Sequence, residues 1–414
     1  MIKKYLHDGD KYDQNLFYSE GFVLDYNDLK MDLGNIYSKE KYKSIDKFID
    51  FVGFVENDDN DLLVVFPKNY KVLNCEEDSK ILFNCISKHI QKRPDMYIGE
   101  NGDKNFTSNY PFAAFYGVYD YFANYGLYLK NKFFIKPNTG GRLNWKETLN
   151  KSEKFINYED IILFPLYYNK NHYFSNLITD CMIFVIDYTI YKFNTFINLS
   201  PTGKSFPGVD FIDKKEDILS ILMQLKQQTF KDNEQQLIEN LICYFSEVNI
   251  GGHFYLKHYS FSSIWEDMIK DYLCNFYKEI NSSHEIVLDK NNPRKLVFQK
   301  KSFHVNAAKP TQYISPDYYC ESENTQLIFD AKYYSDIKGM DYKQISYLFM
   351  LSGMKDSITD KKKFKKTYSA LILPSEKRFT KIHFQIDSMY NDTYDFIITE
   401  EYMDIRDVMI SFCK

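Results

Sequence analysis

The chain has 414 residues, a formal net charge of −5, 44% hydrophobic residues and 26% charged residues. This composition is typical of a globular protein of two or three domains, and an aromatic share of 18% excludes a largely disordered chain. The sequence has no apolar run of membrane-spanning length and no CxxC pair among its seven cysteines, which argues against a membrane protein, a zinc ribbon and a disulfide framework. Its first eight residues lack the apolar core of a signal peptide. We therefore expect a cytoplasmic protein without a membrane partner.

The first half of the chain combines short strands with helices. Apolar runs at 51–55 and 62–66, separated by an acidic turn, predict two strands. Apolar residues at helical spacing predict helices at 77–92 and 111–130. These patterns favour a mixed α+β domain over residues 1–205.

A cluster of chain-breaking residues lies near the middle of the chain. Residues 201–208 contain two prolines and two glycines, which makes them the clearest candidate for a domain boundary. Residues 173–192 before the cluster fit either a strand or a helix. Two helices are expected after it, at 214–229 and 232–247. We predict a helical linker region at 206–250 and a C-terminal domain at 251–414.

The C-terminal domain shows a regular order of elements. The pattern predicts a helix at 261–280, strands at 295–303, 312–319 and 325–334, a helix at 342–354, and strands at 368–373 and 381–386. This order indicates an α/β domain whose mixed sheet is flanked by helices, so the whole chain is α+β.

A hairpin with two aspartates is the strongest chemical signal. Asp317 and Asp330 flank the polar residues 321–324, so a turn there brings the two carboxylates side by side. Because alternate residues of a strand share a face, Asp330 and Lys332 project together. Two carboxylates suit a hard cation such as Mg²⁺, and a neighbouring lysine orients water or offsets developing negative charge. Asp317, Asp330 and Lys332 therefore form a candidate hydrolytic metal site.

The flanking helices offer further candidates. Glu266 lies beside the apolar stripe of the helix at 261–280, where it either completes the metal site or remains a solvated side chain. Gln344 and Tyr347 are three positions apart and share a face of the next helix. Both residues have either a functional role beside the site or a capping or packing role in the helix.

These residues resemble the PD-(D/E)xK nuclease superfamily and, more narrowly, the McrC-like nuclease subunit of LlaJI-type restriction systems. The matching segments are 261–273 with Trp265-Glu266, Pro316-Asp317, Asp330-Ala331-Lys332, 341–347 and 370–375, together with 64–70 and 140–148 in the N-terminal half. The resemblance thus covers most of the chain and implies a restriction-endonuclease-like core at the C-terminal end.

The resemblance also implies roles for particular residues. Asp317, Asp330 and Lys332 would form the catalytic core, and Gln344 would join them. The metal, Mg²⁺ or Mn²⁺, would be held by Asp317, Asp330, Glu266 and the main-chain carbonyl of Ala331. The candidates for DNA contacts are Lys343 and Tyr347.

A partner is implied as well. McrC-like subunits act with an AAA+ GTPase of the McrB kind, stimulate its GTP hydrolysis and cut DNA, so GTP would enter only through the partner. The N-terminal half would engage that partner, with Arg142 presented by a glycine turn as a contact or, alternatively, as a structural arginine. The rival hypotheses are a stand-alone PD-(D/E)xK restriction or repair nuclease and a non-catalytic assembly subunit.

Overall fold

The computed structural model of the protein describes residues 2–13, 21–31, 47–92, 105–138, 140–156, 160–174, 176–248, 253–291, 295–322, 324–356, 359, 361–390 and 396–414. The strands are β1 (Ile2–His7), β2 (Leu29–Met31), β3 (Lys47–Ile49), β4 (Val52–Glu56), β5 (Leu62–Phe66), β6 (Phe106–Ser108), β7 (Lys130–Pro137), β8 (Arg142–Leu143), β9 (Glu153–Ile156), β10 (Ile161–Phe164), β11 (Tyr167–Phe174), β12 (Tyr255–His258), β13 (Tyr277–Ile280), β14 (Ile286–Leu288), β15 (Tyr318–Ser322), β16 (Thr325–Ala331), β17 (Lys366–Ser375), β18 (Phe379–Gln385) and β19 (Ile397–Asp404). The α-helices are α1 (Cys75–Lys92), α2 (Phe112–Tyr125), α3 (Trp145–Lys151), α4 (Leu177–Lys192), α5 (Lys215–Gln228), α6 (Asp232–Glu247), α7 (Phe261–Phe276), α8 (Tyr342–Ser352) and α9 (Ile405–Cys413).

The chain forms two compact units. The first unit draws on residues 1–110 and 249–414, and the second on residues 111–248. The N-terminal strands therefore group with the C-terminal half, whereas the sequence favoured divisions after residues 205 and 250. The assignment of partner binding to residues 1–205 stays a prediction.

A five-stranded sheet in the first unit joins the two ends of the sequence. Its strand order is β1-β5-β4-β12-β6, with β1 and β5 parallel and the other neighbours antiparallel. Gly53 in β4 is required by this pairing, because a Cβ there would lie 1.9 Å from the carbonyl oxygen of Leu256 in β12. Helix α1 covers the sheet, with the Phe83 ring centroid 5.8 Å from that of Phe54. The predicted strands at 51–55 and 62–66 and the predicted helix at 77–92 are confirmed.

A buried ion pair fastens the N-terminal segment to this sheet. The Lys257 ammonium on β12 lies 2.8 Å from Asp28, and the Tyr259 hydroxyl donates to the other oxygen of the same carboxylate at 2.9 Å. The Asp28 side chain is fully buried and that of Lys257 nearly so. Burial of a carboxylate is tolerated only where such partners replace water.

Replacing Lys257 with alanine is expected to destabilise the protein strongly. The Asp28 carboxylate would remain buried without its cation, a change that costs about 3–5 kcal/mol of unfolding free energy. Urea denaturation measures this loss. The control is Lys226→Ala, since Lys226 pairs with Glu239 at 2.9 Å on an exposed surface. Equal midpoints for the two variants would contradict the assigned role of the buried pair.

The second sheet of the first unit carries the aspartate hairpin. Its order is β15-β16-β17-β19-β18, with β16, β17 and β19 parallel and the two edge strands antiparallel to their neighbours. Helices cover both faces: the Trp265 indole of α7 donates to the carbonyl of Ile372 in β17, and Leu348 of α8 packs with Leu371 of the same strand. The prediction of an α/β domain with a mixed sheet between helices is confirmed.

Several predicted boundaries in this domain were wrong. The helix at 261–280 ends at Phe276, and β13 follows it immediately. Residues 295–303 form no strand and contribute only isolated bridges, such as Gln299 with Tyr319. The strand predicted at 312–319 begins at Tyr318. Strand β19, which was not among the predicted elements, lies between β17 and β18.

The second unit combines helices with two small sheets. Helix α2 packs against α4 and α6, and α5 packs against α6. Residues 173–192, which fitted either structure, mostly form helix α4. The small sheets are β7-β11-β8 and the hairpin β9-β10. Within the described ranges, no helix is both long and apolar enough to cross a membrane.

Candidate active site

The aspartate hairpin brings the two predicted carboxylates to one end of the second sheet. Strands β15 and β16 pair antiparallel with Tyr318 opposite Phe329, so the next position outward places Asp317 beside Asp330. The Ala331 N–H donates to Asp317 at 3.2 Å, which fixes the first carboxylate against the end of β16. The polar turn between the strands accounts for this juxtaposition, as the sequence indicated.

Asp330 is the centre of an ion-pair cluster. The Lys332 ammonium lies 2.8 Å from one Asp330 oxygen, and the Lys343 ammonium lies 3.4 Å from the other. Lys332 also lies 3.0 Å from the Asp341 carboxylate. Asp330 is only 1% exposed, and these ammonium groups replace water as partners of its carboxylate. Although burial opposes ionisation of Lys332, the two aspartates raise the pKa of its ammonium.

Helix α7 brings a third carboxylate to this end of the sheet. The Tyr318 hydroxyl donates to the main-chain carbonyl of Glu266 at 2.7 Å, which fixes the helix over the start of β15. Burial raises the pKa of Glu266, and the negative charge of Asp330 adds to the shift. The partly exposed Glu266 side chain thus lies within electrostatic range of Asp330.

The three carboxylates concentrate negative charge. Burial, followed by the charges of Asp330 and Glu266, raises the pKa of Asp317 to about 7. In the described ranges, no three His, Cys, Asp or Glu side chains are already grouped as a metal-binding cluster. The donor set nevertheless suits a hard divalent cation, because Asp317, Asp330 and Glu266 supply oxygen ligands and a charge that a cation would neutralise.

Two predicted site residues lie inside the fold instead. Gln344 is fully buried, and its side-chain amide donates to the carbonyl of Ile328 and to the Ser369 hydroxyl, both at 2.9 Å. These contacts join α8 to β16 and β17, which favours the packing alternative for Gln344. Tyr347 is also buried and donates to the Ser315 carbonyl at 3.2 Å, so its ring is not available to DNA.

Comparison with known proteins identifies the family. A family model described as LlaJI restriction endonuclease matches residues 51–412, which is most of the chain. The chain belongs to the LlaJI restriction endonuclease family. Membership in this restriction endonuclease family supports nuclease activity, and the matched region contains every site residue discussed above.

Other comparisons give weaker similarities to this LlaJI-family chain. The structure of a half-complex of Thermococcus gammatolerans McrB AAA+ hexamers with bound McrC aligns over 99% of this chain and 98% of that chain, with 12% identity and a TM-score of 0.40. The Thermococcus gammatolerans McrBC complex aligns over 61% and 82%, with 11% identity and a TM-score of 0.22. Curated protein sequences give no significant match.

The remaining candidates of the LlaJI-family chain lie on its surface. Lys343 has a half-exposed side chain beside Asp330, so it can reach a ligand at the site. Arg142 is exposed on β8 in the second unit, after Gly140 and Gly141, whose φ angles of 72° and 121° form the expected turn. Its role as a partner contact stays a prediction.

Sequence reasoning missed two charged residues near the aspartates. Asp341 opens α8 as its N-cap, accepting from the Gln344 N–H at 2.8 Å, and at the same time pairs with Lys332. An aspartate before a helix predicts the cap but not the second contact. Lys300 lies 4.0 Å from Asp317 and belongs to a segment with no regular structure, so no periodicity marks it.

Proposed function

We propose that this chain is the metal-dependent DNA endonuclease subunit of an McrBC/LlaJI-type restriction system. It would hydrolyse phosphodiester bonds in cytoplasmic DNA with Mg²⁺ or Mn²⁺, and would act with an AAA+ GTPase of the McrB kind. The observation that supports the proposal best is the grouping of Asp317, Asp330 and Lys332 at one end of a mixed sheet, in a chain of a restriction endonuclease family.

Each residue has a chemical task in this proposal. Asp317, Asp330 and Glu266 would hold the cation, together with the Ala331 carbonyl at the end of β16. A bound Mg²⁺ would lower the pKa of a water ligand and offset charge on the phosphodiester. The Lys332 ammonium would orient the attacking water or stabilise negative charge, while the half-exposed Lys343 would approach the DNA phosphates.

The hairpin β9-β10 is a candidate for the surface of the N-terminal half that binds the partner. The side chains of Phe155, Ile156, Ile161, Ile162 and Phe164 are all more than half exposed. Neighbouring strand residues point to opposite faces, so both faces of this hairpin are apolar. A two-stranded hairpin with two bare apolar faces is typical of a surface covered by another protein. We infer that the GTPase partner covers it.

Plasmid cleavage tests the proposed function. The purified chain would be incubated with Mg²⁺ and plasmid DNA, with and without the protein encoded beside it, and with GTP or ATP. Cutting that needs Mg²⁺, the partner and nucleotide is the expected result. Cutting by the chain alone would favour a stand-alone nuclease. No cutting by the folded chain in any mixture, with DNA of several modification states, would contradict the proposal.

Charged substitutions in the hairpin are expected to weaken partner binding. The double variant Ile156→Lys and Ile161→Glu places opposite charges at a cross-strand pair, which preserves the hairpin while removing its apolar surface. Loss of one interface hot spot of about 2 kcal/mol weakens binding about 30-fold. Calorimetric titration with the partner measures the affinity, and GTP hydrolysis measures stimulation.

The matched control for the hairpin variant is Met223→Lys. Met223 is a half-exposed apolar residue on α5 of the same unit. Unchanged affinity in the hairpin variant, or an equal loss in both variants, would remove the hairpin from the partner interface.

A further inference from the structure

Asp341 makes two different contacts with its two carboxylate oxygens. One oxygen caps α8 by accepting from the Gln344 N–H at 2.8 Å, and the other lies 3.0 Å from the Lys332 ammonium. Lys332 is therefore bridged between Asp330 and Asp341, with a side chain that is mostly buried. A lysine has a long flexible stem, and two fixed carboxylates restrict it far more than one.

A series of buried, hydrogen-bonded side chains binds the main chain of Asp341. The Asp341 N–H donates to His383 Nε2 at 3.0 Å, so Nε2 is the acceptor and Nδ1 carries the ring proton. Nδ1 lies 2.8 Å from Glu400, and the Tyr402 hydroxyl donates to the same carboxylate at 2.6 Å. His383 and Glu400 have side chains only 3% and 7% exposed. The start of α8 is thereby fixed to β18 and β19.

We propose that Asp341 is a positioning residue for the hydrolytic reaction, which holds the Lys332 ammonium beside Asp330 while the His383–Glu400 pair fixes Asp341. This inference rests on the proposed nuclease function. Asp341 itself need not touch substrate, because it acts through Lys332. Residues that orient a group at a metal site in this way typically change activity about 10–100-fold when they are replaced.

A simple helix-capping role is the rival explanation, and asparagine separates the two. Asparagine is as good an N-cap as aspartate, so Asp341→Asn keeps the bond to Gln344 but removes the charge that faces Lys332. The matched control is Asp404→Asn. Asp404 caps α9 by accepting from the Asp407 N–H at 3.1 Å, and among the described residues it forms no ion pair with a site lysine.

Two readouts test the proposal on the full chain. The first is the rate at which acetic anhydride modifies Lys332, measured by mass spectrometry against the exposed Lys300 as internal reference. The second is the single-turnover rate of DNA cleavage with Mg²⁺, the partner and nucleotide at saturating protein, together with DNA affinity. In Asp341→Asn, we expect Lys332 to react several-fold faster and cleavage to slow at least about tenfold, with DNA affinity unchanged. Asp404→Asn should match the wild type in both.

The two readouts distinguish failure of this inference from failure of the proposed function. If the wild-type protein cleaves no DNA even with its partner and nucleotide, the nuclease proposal fails, and the modification rate of Lys332 still tests the contact with Asp341. Wild-type modification and cleavage rates in Asp341→Asn would overturn the positioning role, as would equal slowing in Asp341→Asn and Asp404→Asn. If Asp341→Asn lowers the melting temperature, Asp341→Ser, which also caps but cannot reach Lys332, replaces it.

Discussion

Replacing Asp330 with asparagine is expected to reduce DNA cleavage by about 10³-fold. The carboxylate is nearly inaccessible to solvent and binds two ammonium groups, so it is the charge around which the site is assembled. Asparagine preserves the shape of the side chain and removes that charge. The expected defect is therefore in hydrolysis, with the fold and partner binding retained.

Cleavage of plasmid DNA by the complete system measures the effect of Asp330→Asn, and gel filtration with the partner measures assembly. Asp317→Asn should behave in the same way, because its carboxylate lies at the same end of the hairpin. Asp289→Asn is the control, since Asp289 lies at the surface, where it pairs with Lys278 at 3.5 Å. Full cleavage by both site variants would refute the assignment of the aspartates.

Replacing Lys332 with methionine is expected to slow hydrolysis by about 10²–10³-fold while DNA affinity changes little. Methionine reproduces the apolar stem of lysine without the ammonium group, so it cannot orient water or balance negative charge. Because the Lys332 side chain is mostly buried, it contributes little to the surface that first meets DNA. Single-turnover rates of the complete system at saturating protein separate the chemical step from binding.

Lys343→Met is the informative comparison for Lys332→Met. Both lysines pair with Asp330, but Lys343 does so from a half-exposed position. We expect Lys343→Met to weaken DNA binding and to leave the rate of the chemical step unchanged. A Lys332→Met protein that cleaves at the wild-type rate would eliminate Lys332 from the mechanism.

Sequence patterns predicted those contacts of the site that form within a single hairpin or helix. The polar turn between Asp317 and Asp330 fixes the hairpin register, and strand alternation places Lys332 on the same face as Asp330. The helix that starts at Phe261 was also evident from its apolar stripe. In each case the interacting residues lie within one or two neighbouring elements.

Contacts between distant segments were not predictable in this way. Asp341 reads as an ordinary helix cap, and only the folded sheet brings His383 and Glu400 behind it. Gln344 and Tyr347 share a helix face as predicted, but that face packs on the sheet. Periodicity shows which residues share a face of a helix, but it does not show which part of the protein packs against that face.

The pairing of β4 with β12 has a consequence for how the protein is made. The partner of Val52–Glu56 is Tyr255–His258, and the chain between them includes the whole second unit. At about 5–20 residues per second, a ribosome needs about 10–40 s to add the roughly 200 intervening residues. During that interval one edge of β4 has unpaired N–H and C=O groups, the kind of edge that other chains can join. Chaperone protection of the nascent chain would therefore be needed most before β12 emerges.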